Sequence, residues 1–359
     1  KRITVYRPPR ATSNRKDAIE FSVPFDTLSA EMIMELTEMS APQQSRFTLL
    51  YDQAVRCLRK NGSSHVKKFT EEDFDISHGY PGIKLASLIS ILDQEIAYYE
   101  EKKGKSSDKG TSQRDKRTDS KDMETDGQKI EETPKKTYYF QRYKVEPLMK
   151  DHNDEASYPA LRRKLLGLSR TGIFDKQGVP PLNIPQLCRP GHLSVIDMSD
   201  CGSQQIVNII IADLLTRVYQ YKMRMSETQN EKNKVIITLE EAHGFVSRER
   251  QDKMTQTLDQ LRRIARRGRK RWLCLHFVTQ SPQHLPAELF ELANNKIIHQ
   301  MTGSENLRVL KAAAGMVNEP IWDEVPSLGR GRAVIVSSQY PHPIIARIRR
   351  AASKRNFQN

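Results

Sequence analysis

Two adjacent carboxylates, Glu240 and Glu241, are the side chains of this sequence best placed to do chemistry. They close Val235-Ile236-Ile237-Thr238-Leu239, a short apolar run rich in β-branched residues that suits a strand buried on both faces of a parallel sheet. The carboxyl ends of such strands border the crevice where open α/β sheets bind ligands. Neighbouring side chains on an extended strand point opposite ways, so the two glutamates serve one site only if the chain is already turning there. Nucleotide hydrolysis needs two carboxylate roles, one in the shell of a Mg²⁺ ion and one that orients or deprotonates the attacking water. Glu240 has the position of the metal ligand and Glu241 that of the catalytic carboxylate, as on a Walker B strand. A buried strand ending in an acidic, solvated turn explains these residues equally well when they are taken alone.

The elements that must position this pair follow it. Met254, Leu258, Leu261, Ile264 and Ala265 recur at helical spacing, and Gly268 is a suitable helix stop. A second apolar run, 272–279, leads to Gln280-Ser281-Pro282. Strand, helix and strand of these lengths make a βαβ unit with two parallel neighbouring strands, so Gln280 emerges on the same sheet edge as Glu241. There it can contact a γ-phosphate or the attacking water, or it can simply cap the turn before Pro282. His243 can orient Glu241, and His276, in mid-strand, reads as a core histidine. Between the two strands lies a basic cluster: Arg262, Arg263, Arg266, Arg267, Arg269, Lys270 and Arg271. A solvated helix face, a contact with DNA phosphates and an arginine inserted into a neighbouring subunit's site are its three readings.

Leu239-Glu240-Glu241-Ala242-His243, then 263–270, then Val278-Thr279-Gln280-Ser281-Pro282, resemble in order and spacing the HerA branch of the FtsK–HerA superfamily. The resemblance covers roughly residues 150–350, and 1–100 more loosely. It implies an α/β, RecA-like, mostly parallel sheet flanked by helices. It also implies ATP and Mg²⁺ as cofactors, double-stranded DNA and a homo-hexameric ring as partners, and a NurA-like nuclease or another effector enzyme as companion. By motif position Glu240 is the metal residue, with Glu240, Glu241 and Gln280 binding the cofactor. Catalysis falls to Glu241, Gln280 and an arginine acting in trans, Arg266 first and Arg269 second. Glu240 stands where the family usually has Asp, and Arg267 where it often has Glu. DNA repair and antiviral defence are the settings implied, and no DNA-contacting residue is assigned.

Composition sets the outer limits. The chain has 359 residues, a net charge of +14 and 28% charged residues, which favours a polyanionic partner and a large polar surface. Cys57, Cys188, Cys201 and Cys274 show no metal or disulfide spacing, as expected of a reduced, cytoplasmic protein. No apolar run is long enough to cross a bilayer.

Along the chain, 1–100 reads as a strand, Ile3 to Tyr6, followed by a helical subregion of the ATPase domain. Its helices run from a cap at Asp26 or Ser29 to Pro42, from Phe47 to Leu58 and from Leu85 to Tyr99. Residues 101–136 are almost wholly polar and read as a disordered, charged insertion. Gly104-Lys105-Ser106 within it is not the end of a phosphate loop, because residue 99 is Tyr rather than Gly and a helix precedes it. No GxxxxGK[ST] occurs in the sequence, and the expectation is a C-terminal portion whose phosphate loop precedes Ile3. Residues 137–346 read as the ATPase core, with Asp200 after one strand and an aromatic, basic strand at 138–143. Residues 347–359 read as a basic tail. The expected activity is that of an ATP-driven translocase or helicase on double-stranded DNA. The alternatives are a non-hydrolysing DNA-binding ring scaffold and an ATPase that remodels protein assemblies or packages nucleic acid.

Overall fold

A computed structural model describes residues 3–9, 17–60, 79–108, 146–148, 157–199, 201, 204–244, 246–314 and 319–352. The aromatic stretch 138–143, Asp200 and residues 109–136 lie outside these. In chain order the strands are β1 (Ile3–Arg7), β2 (Ile19–Glu20), β3 (Leu193–Ile196), β4 (Val235–Leu239), β5 (Leu273–Phe277), β6 (Asn295–Ile298), β7 (Arg332–Ser337) and β8 (Ile344–Arg347). The helices are α1 (Ala30–Leu36), α2 (Ala41–Lys60), α3 (Leu85–Asp108), α4 (Ser157–Arg170), α5 (Ile184–Leu187), α6 (Gln204–Arg224), α7 (Glu227–Lys232), α8 (Thr255–Arg267), α9 (Ala287–Leu292), α10 (Ser304–Ala314) and α11 (Glu319–Glu324). The fold is α/β, with parallel strands flanked by helices, and the chain divides into two compact units.

The helical unit holds 8–10 and 20–182. Ser29 caps α1 by accepting the Met32 N–H, while Asp26 instead accepts the N–H of Gly82. Pro42 does not end a helix; it sits in the first turn of α2, where its missing N–H costs nothing. α2, α3 and α4 pack their apolar faces together, burying Phe47, Leu50, Leu88, Leu92, Leu161 and Leu165. Glu95 of α3, fully buried, accepts from the Gln53 amide and the Leu148 N–H. α3 also runs on to Asp108, so the segment expected to be disordered from residue 101 is helical for its first eight residues, 101–108. Gly104, Lys105 and Ser106 lie in that helix, which no phosphate loop can be.

The sheet unit holds 1–7, 11–19 and 183–359. β1 pairs in parallel with β3, and β4 in parallel with β5, whereas β6, β7 and β8 form an antiparallel sheet. The last is a departure from a mostly parallel expectation. Its core of Ile298, Leu310, Trp322, Val325, Leu328 and Val334 is covered by α10 and α11. Arg347, counted above with the basic tail, is the last residue of β8 and lies opposite Arg332. β4 is also not buried on both faces: Ile237 and Leu239 point inward, but Ile236 is 69% exposed and Thr238 is exposed beside it. His276 shares that open face, 3.4 Å from the Thr238 hydroxyl, and is therefore not a core histidine.

Gly268 has a different reason from the one its helix-stop position suggests. Its backbone is right-handed, φ −62°, as any residue would adopt, but a Cβ there would stand 2.4 Å from the carbonyl oxygen of Leu273. Gly268→Ala should therefore lower stability by about 1–3 kcal/mol in urea unfolding, against the roughly 1 kcal/mol that alanine gains in a helix. Cys188, buried after α5, has its thiol pushed up to about 11 from an ordinary 9.0, chiefly by burial, with the nearby Lys222 ammonium opposing. The folded state keeps this proton longer than the unfolded one, so its contribution is complete below pH 9 and is lost on rising through 11. Wild type should lose about 2–3 kcal/mol more than Cys188→Ala across that window in pH-dependent unfolding.

Candidate active site

The site forms where β4 and β5 end together. Their parallel register pairs Val235 with Leu273 and Leu239 with Phe277. The ladder continues past the strands, since Val278 N–H donates to Leu239 O at 2.9 Å and Ala242 N–H to Val278 O at 3.2 Å. α8 packs on β5 from one side, burying Leu258, Leu261 and Ile264. Residues beyond position 239 and beyond position 277 are thus held side by side.

β4 ends at Leu239, and at Glu240 the backbone turns. Glu241 takes a left-handed conformation, φ 49°, in which a non-glycine residue is strained by on the order of 1–3 kcal/mol. A 3₁₀ turn over Ala242–Gly244 follows, closed by Gly244 N–H donating to Glu241 O at 2.8 Å. This reversal removes the strict alternation of an extended strand at the two consecutive glutamates. Both side chains are exposed.

Gln280 Nε2 donates to Glu241 Oε1 at 3.0 Å. The other carboxylate oxygen, Oε2, lies 3.4 Å from His243 Nδ1, which is also 3.1 Å from the Thr279 hydroxyl. Thr279 Oγ1 in turn accepts the Ser281 N–H at 3.1 Å. Glu241 is therefore gripped from both sides, by an amide one strand away and by an imidazole that Thr279 holds in place. A second imidazole, His284, stands with its ring 6.4 Å from that of His243 and bonds Glu249 at 2.9 Å. That bond is the main reason the Glu249 carboxyl lies down at about 2. Thr279 and the His284–Glu249 pair carry no signal of their own in the sequence; Thr279 is legible only once the β5 register shows which residue faces His243.

Among the described residues no group of three His, Cys, Asp or Glu side chains gathers to hold a metal. The exposed Glu240 carboxylate suits Mg²⁺ all the same, because that ion is commonly held by one or two carboxylates, water and substrate phosphates. The residues present fit the metal and water side of a nucleotide site. A loop to cradle the phosphates is not in this sequence.

The arginines are sorted by the fold. Arg262 donates to Glu288 at 2.9 Å and to Asp259 at 2.5 Å, so it fastens α8 to α9. Arg266, Arg267, Arg269 and Lys270 are exposed. They precede β5, whereas Gln280 follows it, so the whole strand separates them from the carboxylates, roughly 17 Å at about 3.3 Å per residue. The structure does not bring Arg266 or Arg269 to the Glu241 of their own chain.

The sequence profile described as Helicase HerA-like C-terminal matches residues 142–348, more than half of the chain. The chain belongs to that family. Glu240, Glu241, Gln280, Arg266 and Arg269 all fall within the HerA-like region. The DNA double-strand break repair helicase HerA of Pyrococcus furiosus is 25% identical over 193 residues, 46% of this chain and 34% of its own length. The protein of the same name from Sulfurisphaera tokodaii is 27% identical over 166 residues, covering 43% of this chain and 33% of the relative. The chain spans about a third of the length of these HerA relatives. VirB4 of Thermoanaerobacter pseudethanolicus shares the fold, with a TM-score of 0.55 over 98% of this chain and 83% of VirB4, at 12% identity.

The sorting of the arginines is measurable. Arg262→Ala should lower stability by up to ~1 kcal/mol in thermal unfolding, while Arg266→Ala should stay within about 0.5 kcal/mol of wild type.

Proposed function

We propose that this HerA-like chain is the motor region of an ATP-driven DNA translocase or helicase that works as a hexameric ring on double-stranded DNA. The observation that carries the reading is the Gln280–Glu241 hydrogen bond across the parallel β4–β5 pair, with the Glu240 carboxylate open beside it. Hydrolysis breaks the bond between the β- and γ-phosphates of ATP and passes the γ-phosphoryl group to water, and Mg²⁺ would neutralise charge on those phosphates. Glu240 would contribute an oxygen to the metal shell. Glu241 orients the attacking water and accepts its proton, since one amide bond on Oε1 leaves carboxylate lone pairs available. Gln280, bonded to Glu241 at the end of β5, reports the state of the γ-phosphate along that strand.

The arginine comes from a neighbour in this reading. Arg266, with Arg269 as second candidate, cannot reach its own chain's carboxylates across β5. An acidic edge at one end of a strand pair and a basic edge at the other suit a head-to-tail contact between copies, the kind that closes into a ring. A NurA-like nuclease or another effector enzyme as companion, a cytoplasmic setting, and a role in DNA repair or antiviral defence belong to the same proposal.

The test is ATP hydrolysis by the full-length protein with and without double-stranded DNA. Glu241→Gln should lower turnover by about 10²–10⁴-fold with nucleotide binding retained. Arg266→Ala alone should be inactive, yet mixing it with Glu241→Gln should restore part of the turnover, because some interfaces then pair an intact Glu241 with an intact Arg266. Absence of turnover from a folded full-length wild type would favour the ring scaffold instead, and DNA-independent turnover would favour a protein remodeller.

A further inference from the structure

At the end of β4–β5 opposite the carboxylates stands Trp272. It is the second left-handed residue of this strand pair, φ 53°, and a bulky side chain is a rare choice for that backbone. The conformation is fixed from both sides: its N–H donates to Arg269 O at 3.2 Å, and its carbonyl accepts the Val235 N–H at 2.9 Å. The indole is nonetheless 42% exposed. The Lys234 ammonium lies 4.2 Å from the ring centroid, so the ring is braced by a cation. Arg267, Arg269 and Lys270 are exposed on the preceding turn and make no ion pair among the described residues. Arg271, also on that turn, is anchored by its guanidinium to Met225 O at 3.2 Å.

A solvated surface gains nothing from a tryptophan in a strained backbone, and the other tryptophan, Trp322, is packed in a core at 3% exposure. An exposed aromatic ring with a cation against it and a basic segment next to it in the chain is a pattern that binds single-stranded nucleic acid: bases stack on the ring and phosphates meet the cations. A duplex keeps its bases stacked within itself and would use the cations alone. We infer that Trp272, with Lys234 against its ring and the exposed basic residues Arg267 and Lys270 preceding it in the chain, forms a stacking site for an unpaired base of single-stranded nucleic acid. The inference rests on the nucleic-acid partner of the motor reading and on Trp272 staying open beside the subunit contact to which that reading gives Arg266.

Trp272 reports on itself, because it is the exposed member of two tryptophans. Titration of the chain with oligodeoxythymidylate of about 20 nucleotides, longer than one site, should saturably quench its emission at low salt without any nucleotide present. Trp272→Phe should abolish the quench, leaving buried Trp322 unaffected. Trp272→Gly places the residue suited to φ 53° at this position, so it should unfold at a temperature no lower than wild type while binding the oligonucleotide on the order of tenfold more weakly by anisotropy. Lys270→Glu should weaken binding and reduce the salt slope by about 1.

Four results would overturn the inference: no binding at low salt, binding with unchanged Trp272 emission, quenching by self-association or a mononucleotide but not by the oligonucleotide, or a Trp272→Gly chain that is less stable yet binds as wild type. None of these measurements needs turnover. Failure here and failure of the motor reading are thereby told apart.

Discussion

The register of β4 on β5 is the constraint on which the rest depends. Parallel pairing of Leu239 with Phe277, prolonged by backbone bonds through Val278 and Ala242, leaves Glu241 and Gln280 on one edge with their side chains in hydrogen-bond contact. A slip of one residue would turn Ile237 and Leu239 out of the core and carry Gln280 away from Glu241, so burial and chemistry select the same register. The close approach of Gly268 to Leu273 belongs to the same constraint, since α8 must deliver the chain into β5 in one position along the strand.

Strain marks both ends of this pair. Among the described residues four non-glycine positions have positive φ, and two of them, Glu241 and Trp272, flank β4–β5 at opposite ends. At Glu241 the left-handed turn takes the chain out of the strand just where its carboxylate meets Gln280. At Trp272 it projects an aromatic ring out of a basic turn. At Trp272 the left-handed residue closes a 3₁₀ turn, a place that glycine usually fills, and at both positions the neighbouring backbone bonds hold the conformation in place.

Charge is distributed along the same axis. Carboxylates collect where the strands finish and guanidinium groups where β5 begins, while Arg262 is withdrawn from the basic set by Glu288 and Asp259. The net charge of +14 is therefore not one diffuse property. Part of it is spent internally on joining helices, and part is presented at one edge, at a distance from the chain's own acidic site that no side chain spans.

The sequence by itself determined the elements and their order. β-branched runs, the 3.6-residue period of α8 and the Glu-Glu and Gln-Ser-Pro endings are local signals, and they carried the βαβ unit, the shared edge of Glu241 and Gln280 and the family pattern. What it could not determine were matters of who lies against whom. Ile236 and His276 look like core residues because a parallel strand usually has two covers, and only the packing shows that one face of this pair has none among the described residues. Pro42 signals a helix end or a helix start with equal force, and neighbouring residues decide. Arg262 and Arg266 are the same residue type one turn apart; Glu288, far along the chain, makes one a strut and leaves the other exposed. Thr279 acquires a role only when the register sets it beside His243. Short-range chemistry is written in the order of residues, whereas partners distant in sequence are chosen by the packing of the whole unit.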